Sequence, residues 1–337
     1  MHVLFQHQKF VKMEYVLRNK SMPSPVVMVN EQYEDAESFG RGAGWDIDFR
    51  QLEQGPLRAR VLSFGHPGIM VFRVEFNRSF HQLGHPPAGF RTFGFPDVES
   101  GVQRYKCTET KPGGLINFNF EEGLDSVNPP GQFGGFVLCF NEQVLYDSCN
   151  EFGYGVDLLE EIHQHQFWDP VEGQHERLRD ILKSLVIVAT QEGDEGLKRW
   201  HKVFNYDLPR SLLSIIAGES SQAKLTIPKF SAAALNRALE VLSSYEQMPA
   251  SVEALCKISG TSWATLQRAF KNEFQVTPKA YMKSRRLAAV QTELIRQGST
   301  AVISEIANQW GFWHMGGFAS DYKKQFGELP SQTLLRL

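Results

Sequence analysis

Apolar positions in the last hundred residues recur every three or four places, the period of a helix buried on one face. Val252, Leu255 and Cys256 predict a short helix that stops at Gly260, a residue suited to a left-handed exit. Thr261 and Ser262 supply an N-cap, and Leu266, Phe270 and Phe274 form the buried stripe of a helix from Trp263 to Phe274. Pro278 fits the first turn of a longer helix that runs to about Arg296 and ends at Gly298. The plan then repeats. Ala301, Ile303, Ile306 and Ala307 line a short helix, Trp310-Gly311-Phe312 turns the chain, and Phe318, Tyr322 and Phe326 stripe a helix from about His314 to Phe326. Gly327-Glu328-Leu329-Pro330-Ser331 stops it and starts a last short helix, and a helix from Ser231 to Tyr245 precedes the whole set.

Upstream the texture is different. From about Gly44 to Phe140, short alternating runs are broken by Gly and Pro every ten residues or so. The runs include 58–64, 68–76, 91–95, 103–108, 114–120 and 135–140, with turns at His66-Pro67-Gly68, His85-Pro86-Pro87, Lys111-Pro112-Gly113-Gly114 and Asn128-Pro129-Pro130-Gly131. This predicts a small antiparallel barrel or sandwich. Residues 143–225 return to helical spacing: Leu178, Ile181, Leu182, Leu185, Val186 and Ala189 make one stripe, and Leu212, Leu213 and Ile216 another. These stripes pack either on the barrel or on a second copy of the chain, and both readings stand.

The exposed positions of the C-terminal helices carry the chemistry. A pair of helices joined by a tight turn, the second presenting Gln and Arg, is the shape that enters a DNA major groove. Ala264, Thr265, Gln267, Arg268 and Lys271 lie off the buried stripe of their helix. Arg can pair with guanine and Gln with adenine, each for roughly 1–3 kcal/mol of discrimination. Lys271, with Lys283, Arg285 and Arg286 of the connecting helix, would hold phosphates. An uninterrupted connecting helix fixes two such units at a spacing that suits successive turns on one face of DNA, about 34 Å apart.

Gly311-Phe312, Phe318, Tyr322-Lys323-Lys324-Gln325-Phe326-Gly327 and Pro330-Ser331, with Leu266-Gln267-Arg268-Ala269-Phe270-Lys271 before them, resemble the DNA-binding domain of the AraC/XylS family of bacterial transcription regulators. The resemblance covers roughly 235–335, with some ten positions agreeing in order and spacing. The turn Gly311-Phe312-Trp313-His314-Met315 and the N-terminal half show a weaker similarity to the branch containing ethanolamine-utilisation regulators. The family likeness implies a cupin-like sensor barrel in front, an activator role beside RNA polymerase, double-stranded DNA as partner, and helices that commonly make dimer contacts. The second reading helix departs from the family pattern. It offers Met315, Gly316, Gly317 and Ser320, leaving His314 and Ser320 to approach bases and Lys323 and Lys324 to grip phosphate.

Charge distribution agrees with a reader at one end. The net charge is −3, but residues 231–337 hold 12 Lys/Arg against 8 Asp/Glu, while the preceding residues hold 23 against 30. The four cysteines, at 107, 139, 149 and 256, form no CxxC pair and suit free thiols in a reducing cytoplasm. No run approaches the ~20 apolar residues of a membrane helix, and the first twenty residues read neither as a signal peptide nor as an anchor.

No nucleophile elbow, phosphate loop or dinucleotide fingerprint is present, and the histidines do not take the spacing of a metal-dependent cupin. No catalytic residue, metal or cofactor is expected. A barrel of this kind, fused to a DNA reader, reads as a sensor for a small-molecule effector. Phe72, Phe93, Phe118 and Phe120 are its candidate pocket walls, with Arg73 and Arg91 to orient an anionic group. Two alternatives remain: a ligand-free barrel used for dimerisation or a protein partner, and a cupin-type enzyme with an accessory helical domain. The expected organisation is a lead-in over 1–25, barrel over 26–142, helical region over 143–218, linker over 219–230 and tandem helix-turn-helix domain over 231–337. The fold class is α+β with two domains.

Overall fold

The computed structural model describes residues 24–43, 46–118, 123–155, 157–218, 231–243 and 248–335. Most of the expected lead-in, the linker 219–230 and Phe120 lie outside the described residues.

The N-terminal part begins with β1 (Val26–Tyr33), α1 (Ala36–Ala43), β2 (Asp46–Gln51), β3 (Ala59–His66), β4 (Ile69–Phe76), β5 (Phe80–His85) and β6 (Phe90–Pro96). It continues with β7 (Arg104–Tyr105), β8 (Thr108–Glu109), β9 (Leu115–Phe118), β10 (Leu124–Val127) and β11 (Phe133–Asn141). Then come α2 (Glu142–Glu151), α3 (Asp157–Gln164), β12 (Phe167–Trp168), α4 (Gln174–Gln191), α5 (Gly193–Arg199) and α6 (Leu208–Ala217). The strands form two antiparallel sheets: a large one in the order β1-β3-β4-β11-β6-β9-β12, and a small one in the order β2-β5-β10-β7-β8. This is the two-sheet form of the expected barrel.

The large sheet is buried on both faces. Phe64, Val71, Phe93 and Leu138 pack outward against Leu178, Leu182, Leu185 and Leu212 of the helices. Leu178, Leu182 and Leu185 of the α4 stripe are therefore covered by the barrel.

The C-terminal part holds α7 (Ser231–Ser243), α8 (Val252–Ser259), α9 (Trp263–Phe274), α10 (Pro278–Gln297), α11 (Ile303–Gln309), α12 (Met315–Phe326) and α13 (Pro330–Leu335). Their limits follow local chemistry. The Ser251, Ser262 and Thr277 side chains cap α8, α9 and α10 by accepting from Ala254, Thr265 and Ala280 amides. Gly260 ends α8 at φ 61°, a left-handed exit that glycine enters without strain. Leu255, Leu266, Phe270 and Tyr281 form one core, and Leu287, Ile306, Phe318 and Tyr322 another, with α10 passing from the first to the second. No helix among the described residues is long and apolar enough to cross a membrane.

Candidate nucleic-acid interface, intersheet cavity and the contact between them

In both units the second helix buries its aromatic stripe and leaves its other face to solvent. On α9, Ala264, Arg268 and Lys271 are exposed and Thr265 and Gln267 half-exposed; on α12 and its N-cap, His314, Ser320, Lys323 and Lys324 are exposed. The connecting helix departs from expectation. Arg285 is only 1% exposed and stands beside Tyr281, so it faces the protein rather than a phosphate. Arg286 donates to the carbonyls of Pro249 and Ala250 at 2.6 and 3.1 Å, holding the loop before α8. Lys283 is paired with Asp321 of α12 at 2.9 Å. These three cations sit inside the period of a basic helix, which is why the sequence alone places them on DNA; α10 is instead surrounded on several sides.

A cavity of about 50 Å³ lies between the two sheets. Phe72, Phe76, Phe118 and Phe136 form much of its large-sheet wall, and Ile47, Phe49 and Leu124 its small-sheet wall. Its polar lining is Gln82 and Gln103. Phe72 and Phe118 are thus where the sequence places them. Phe93 is not: it points to the helical side, against Trp168. Nor are the two arginines. Arg73 is held on the outside by Asp97 and Glu75 at 2.7 and 2.9 Å, and Arg91 by Glu142 at 3.2 Å with His163 beside it. Among the described residues, the walls lining this cavity therefore carry no cation, contrary to the expected anion contact.

The small sheet has two working faces. Strand alternation sends Ile47, Phe49, Gln82 and Leu124 toward the cavity and their neighbours Asp48, Arg50, His81, Asp125 and Val127 the other way. That second face docks on the C-terminal helices. Arg50 Nη1 donates to Tyr281 Oη at 2.9 Å, and Tyr281 Oη lies 2.6 Å from His81 Nδ1. His81 Nε2 is 2.9 Å from Asp125 Oδ1. The carboxylate only accepts, so with a neutral ring Nε2 carries the proton, Nδ1 accepts, and Tyr281 donates to it. Arg50, Tyr281 and His81 thus donate in sequence along one directed chain that ends on the Asp125 carboxylate as acceptor. Arg50, Tyr281 and His81 are all buried. Burial opposes charge on Arg50, but Tyr281 and Asp48 outweigh it and hold its pKa above the ordinary value. Burial raises the Tyr281 pKa, against the nearby guanidinium charges of Arg50 and Arg285.

Further contacts reach both helix-turn-helix units. Arg104 donates to Glu273 of α9 at 2.9 Å. Gln51 and Gln325 of α12 exchange side-chain-to-carbonyl bonds at 3.0 and 3.1 Å, and the Gly55 amide donates to the Gln325 carbonyl at 3.1 Å. Gly327, at φ 82°, lies so close to Pro56 that a Cβ there would come within 2.9 Å. Cys107 sits at the same contact. Burial, then the charges of Glu273 and Asp125, push its thiol up to about 12. None of Arg50, His81, Tyr281 and Gln325 stands out in the sequence as a site residue. The available signal is the alternation Ile47-Asp48-Phe49-Arg50, which requires something to cover a charged second face.

Comparison with known proteins bears chiefly on the C-terminal helices. Residues 255–336 match a family described as a helix-turn-helix domain. The chain is 29% identical over 187 residues to the probable thc operon regulatory protein of Rhodococcus erythropolis, covering 54% of this chain and 52% of that one. It is 25% identical over 237 residues to the XylDLEGF operon transcriptional activator 3 of Pseudomonas putida, covering 67% and 66%. It also aligns with the solved structure of a probable AraC family transcriptional regulator from Rhodopseudomonas palustris, at 30% identity over 31% of this chain and 95% of that one, with a TM-score of 0.28. The chain spans about half the length of the first of these relatives. A two-sheet domain joined to a tandem helix-turn-helix domain defines the structural class. In its helix-turn-helix domain the chain is similar to transcription regulators of the AraC/XylS kind.

Proposed function

We propose that this chain is a cytoplasmic, sequence-specific DNA-binding activator whose docking of the reader responds to a small molecule held between the two sheets. The observation that carries this reading is the small sheet, with one face on the cavity and the other on the helix-turn-helix units. A cavity of about 50 Å³ is smaller than the roughly 150 Å³ that admits benzene in an engineered core. An effector must therefore part the sheets. The large sheet is backed by the helical layer and the small sheet by the C-terminal helices, so parting the two strains the contact that Arg50 and His81 make. The ligand shifts the reader only by its difference in affinity for the docked and displaced arrangements. The apolar lining with two amides suits an uncharged, largely apolar molecule with one hydrogen-bonding group.

On the DNA side, Gln267 and Arg268 read bases from α9, while Lys271, Lys323 and Lys324 bind phosphates. Recruitment of RNA polymerase and pairing with a second copy complete the activator reading, and no catalytic residue belongs to it. The test is Arg268→Ala. Binding should weaken and discrimination relax at one or two base positions; unchanged specificity would show that α9 does not read bases. The narrowness of the cavity favours one second reading, a barrel that holds no small molecule and serves for docking alone. Calorimetry with apolar effectors separates the two, since the second reading predicts no heat of binding.

A further inference from the structure

We infer that the second reading head recognises a thymine-bearing block through apolar contact with base methyl groups, seated closer to DNA than the first head. This rests on the DNA-binding reading above. The two reading helices share one register: Leu266, Phe270 and Phe274 are buried, and Phe318 and Tyr322, with Phe326 partly buried, follow the same spacing of four. The positions that α9 fills with Ala264, Thr265, Gln267 and Arg268 are then Gly316, Gly317, Ala319 and Ser320 on α12. Every groove-facing side chain has been cut back.

The fold does not ask for this. Gly316 and Gly317 take ordinary helical φ, since neither is among the left-handed glycines. A Cβ at either position would meet nothing within 4 Å. Glycine is disfavoured against alanine in a helix, so two adjacent glycines in open space weaken α12 with no gain inside the protein. An external surface that must come close accounts for them. Besides the N-cap His314 and Ser320, what that end of the helix offers to solvent is hydrocarbon and ring. Trp313, just before the N-cap, is 73% exposed, and Met315 is half-buried beside it. Exposed Lys323 and Lys324 flank the same face further along, which suits a polyanion rather than an apolar protein partner. Ala and Ser cannot make bidentate pairs with bases. The apolar group that a major groove offers is the thymine C5-methyl.

The test uses the operator recovered by binding selection, with the full chain. Replacing dT by dU in the second block alone removes methyl groups while keeping pairing and phosphates. Affinity should fall about tenfold, against little change for the same replacement in the first block. Gly316→Ala and Gly317→Ala should each raise the melting temperature by a few degrees, at roughly 2–4 °C for each stabilising kcal/mol in a chain of this class, yet weaken DNA binding. Trp313→Ala should weaken binding without lowering the melting temperature. Undiminished affinity for the dU-substituted second block, or for the stabilised alanine variants, overturns the inference. If the unaltered chain selects no specific DNA at all, the DNA-binding reading itself falls and takes this inference with it.

Discussion

Tyr281→Phe removes one oxygen from the contact between the small sheet and the reader. That oxygen accepts from Arg50 at 2.9 Å and lies 2.6 Å from His81 Nδ1. A hydrogen bond to a charged group contributes about 1.5–3 kcal/mol and a neutral one about 0.5–1.5. Phenylalanine keeps the ring contacts with Phe270 and Phe274 at 5.2 and 4.8 Å, so the packing loss is small. Arg50 retains Asp48, but the buried His81 nitrogen loses its donor. The docked arrangement should weaken by roughly 3 kcal/mol, or about a hundredfold in equilibrium constant. Hydrogen exchange at the Gly55 amide reads this directly, because that amide is protected by the Gln325 carbonyl across the contact. Its protection should drop by about two orders of magnitude. Amides inside the large sheet, such as that of Val71, should hold theirs. Unchanged protection at Gly55 in a folded variant would show that the Arg50–Tyr281–His81 chain does not hold the reader in place.

Arg104→Met should cost about 3 kcal/mol, because it leaves the carboxylate of Glu273, only 4% exposed, buried without its partner. Adding Glu273→Gln should recover much of the lost melting temperature, and failure to recover would mean the pair is not the cause. Cys107 should alkylate very slowly at pH 8 while its thiol stays near 12, and much faster in Tyr281→Phe as the contact opens; equal rates would refute the link. His66 and His175 are both held below the ordinary imidazole value by burial. The unfolded chain therefore takes up protons first as pH falls through about 6.5, so their stabilisation is complete above that value and lost below it. The melting temperature should be lower at pH 5.5 than at pH 7.5, and His175→Gln should reduce that dependence; a flat profile would contradict this.

The tandem helix-turn-helix domain was legible in the sequence because each of its signals is local. Ser262 before a helix, Pro278 at its first turn, Gly260 after another and Phe-to-Phe spacing of four all act within one turn. The large sheet was partly legible for a similar reason, since Phe72, Phe93 and Leu138 alternate or run together over buried strands. β5 and β10 were not. Phe80-His81-Gln82-Leu83-Gly84-His85 and Leu124-Asp125-Ser126-Val127 carry few apolar residues, because one face lines a cavity with an amide and the other meets a partner two hundred residues away through polar groups. Buried polar groups satisfied at long range leave no period in a sequence. Arg285 misled for the complementary reason: an arginine in a basic helix looks solvent-facing until the packed neighbour is seen.

Selection of fragmented genomic DNA by the full chain at near-physiological salt decides whether these helices read DNA in tandem. A tandem reader enriches a motif with two blocks about one helical turn apart, the first sensitive to Arg268→Ala and the second rich in thymine. Enrichment of fragments without a shared motif would contradict it.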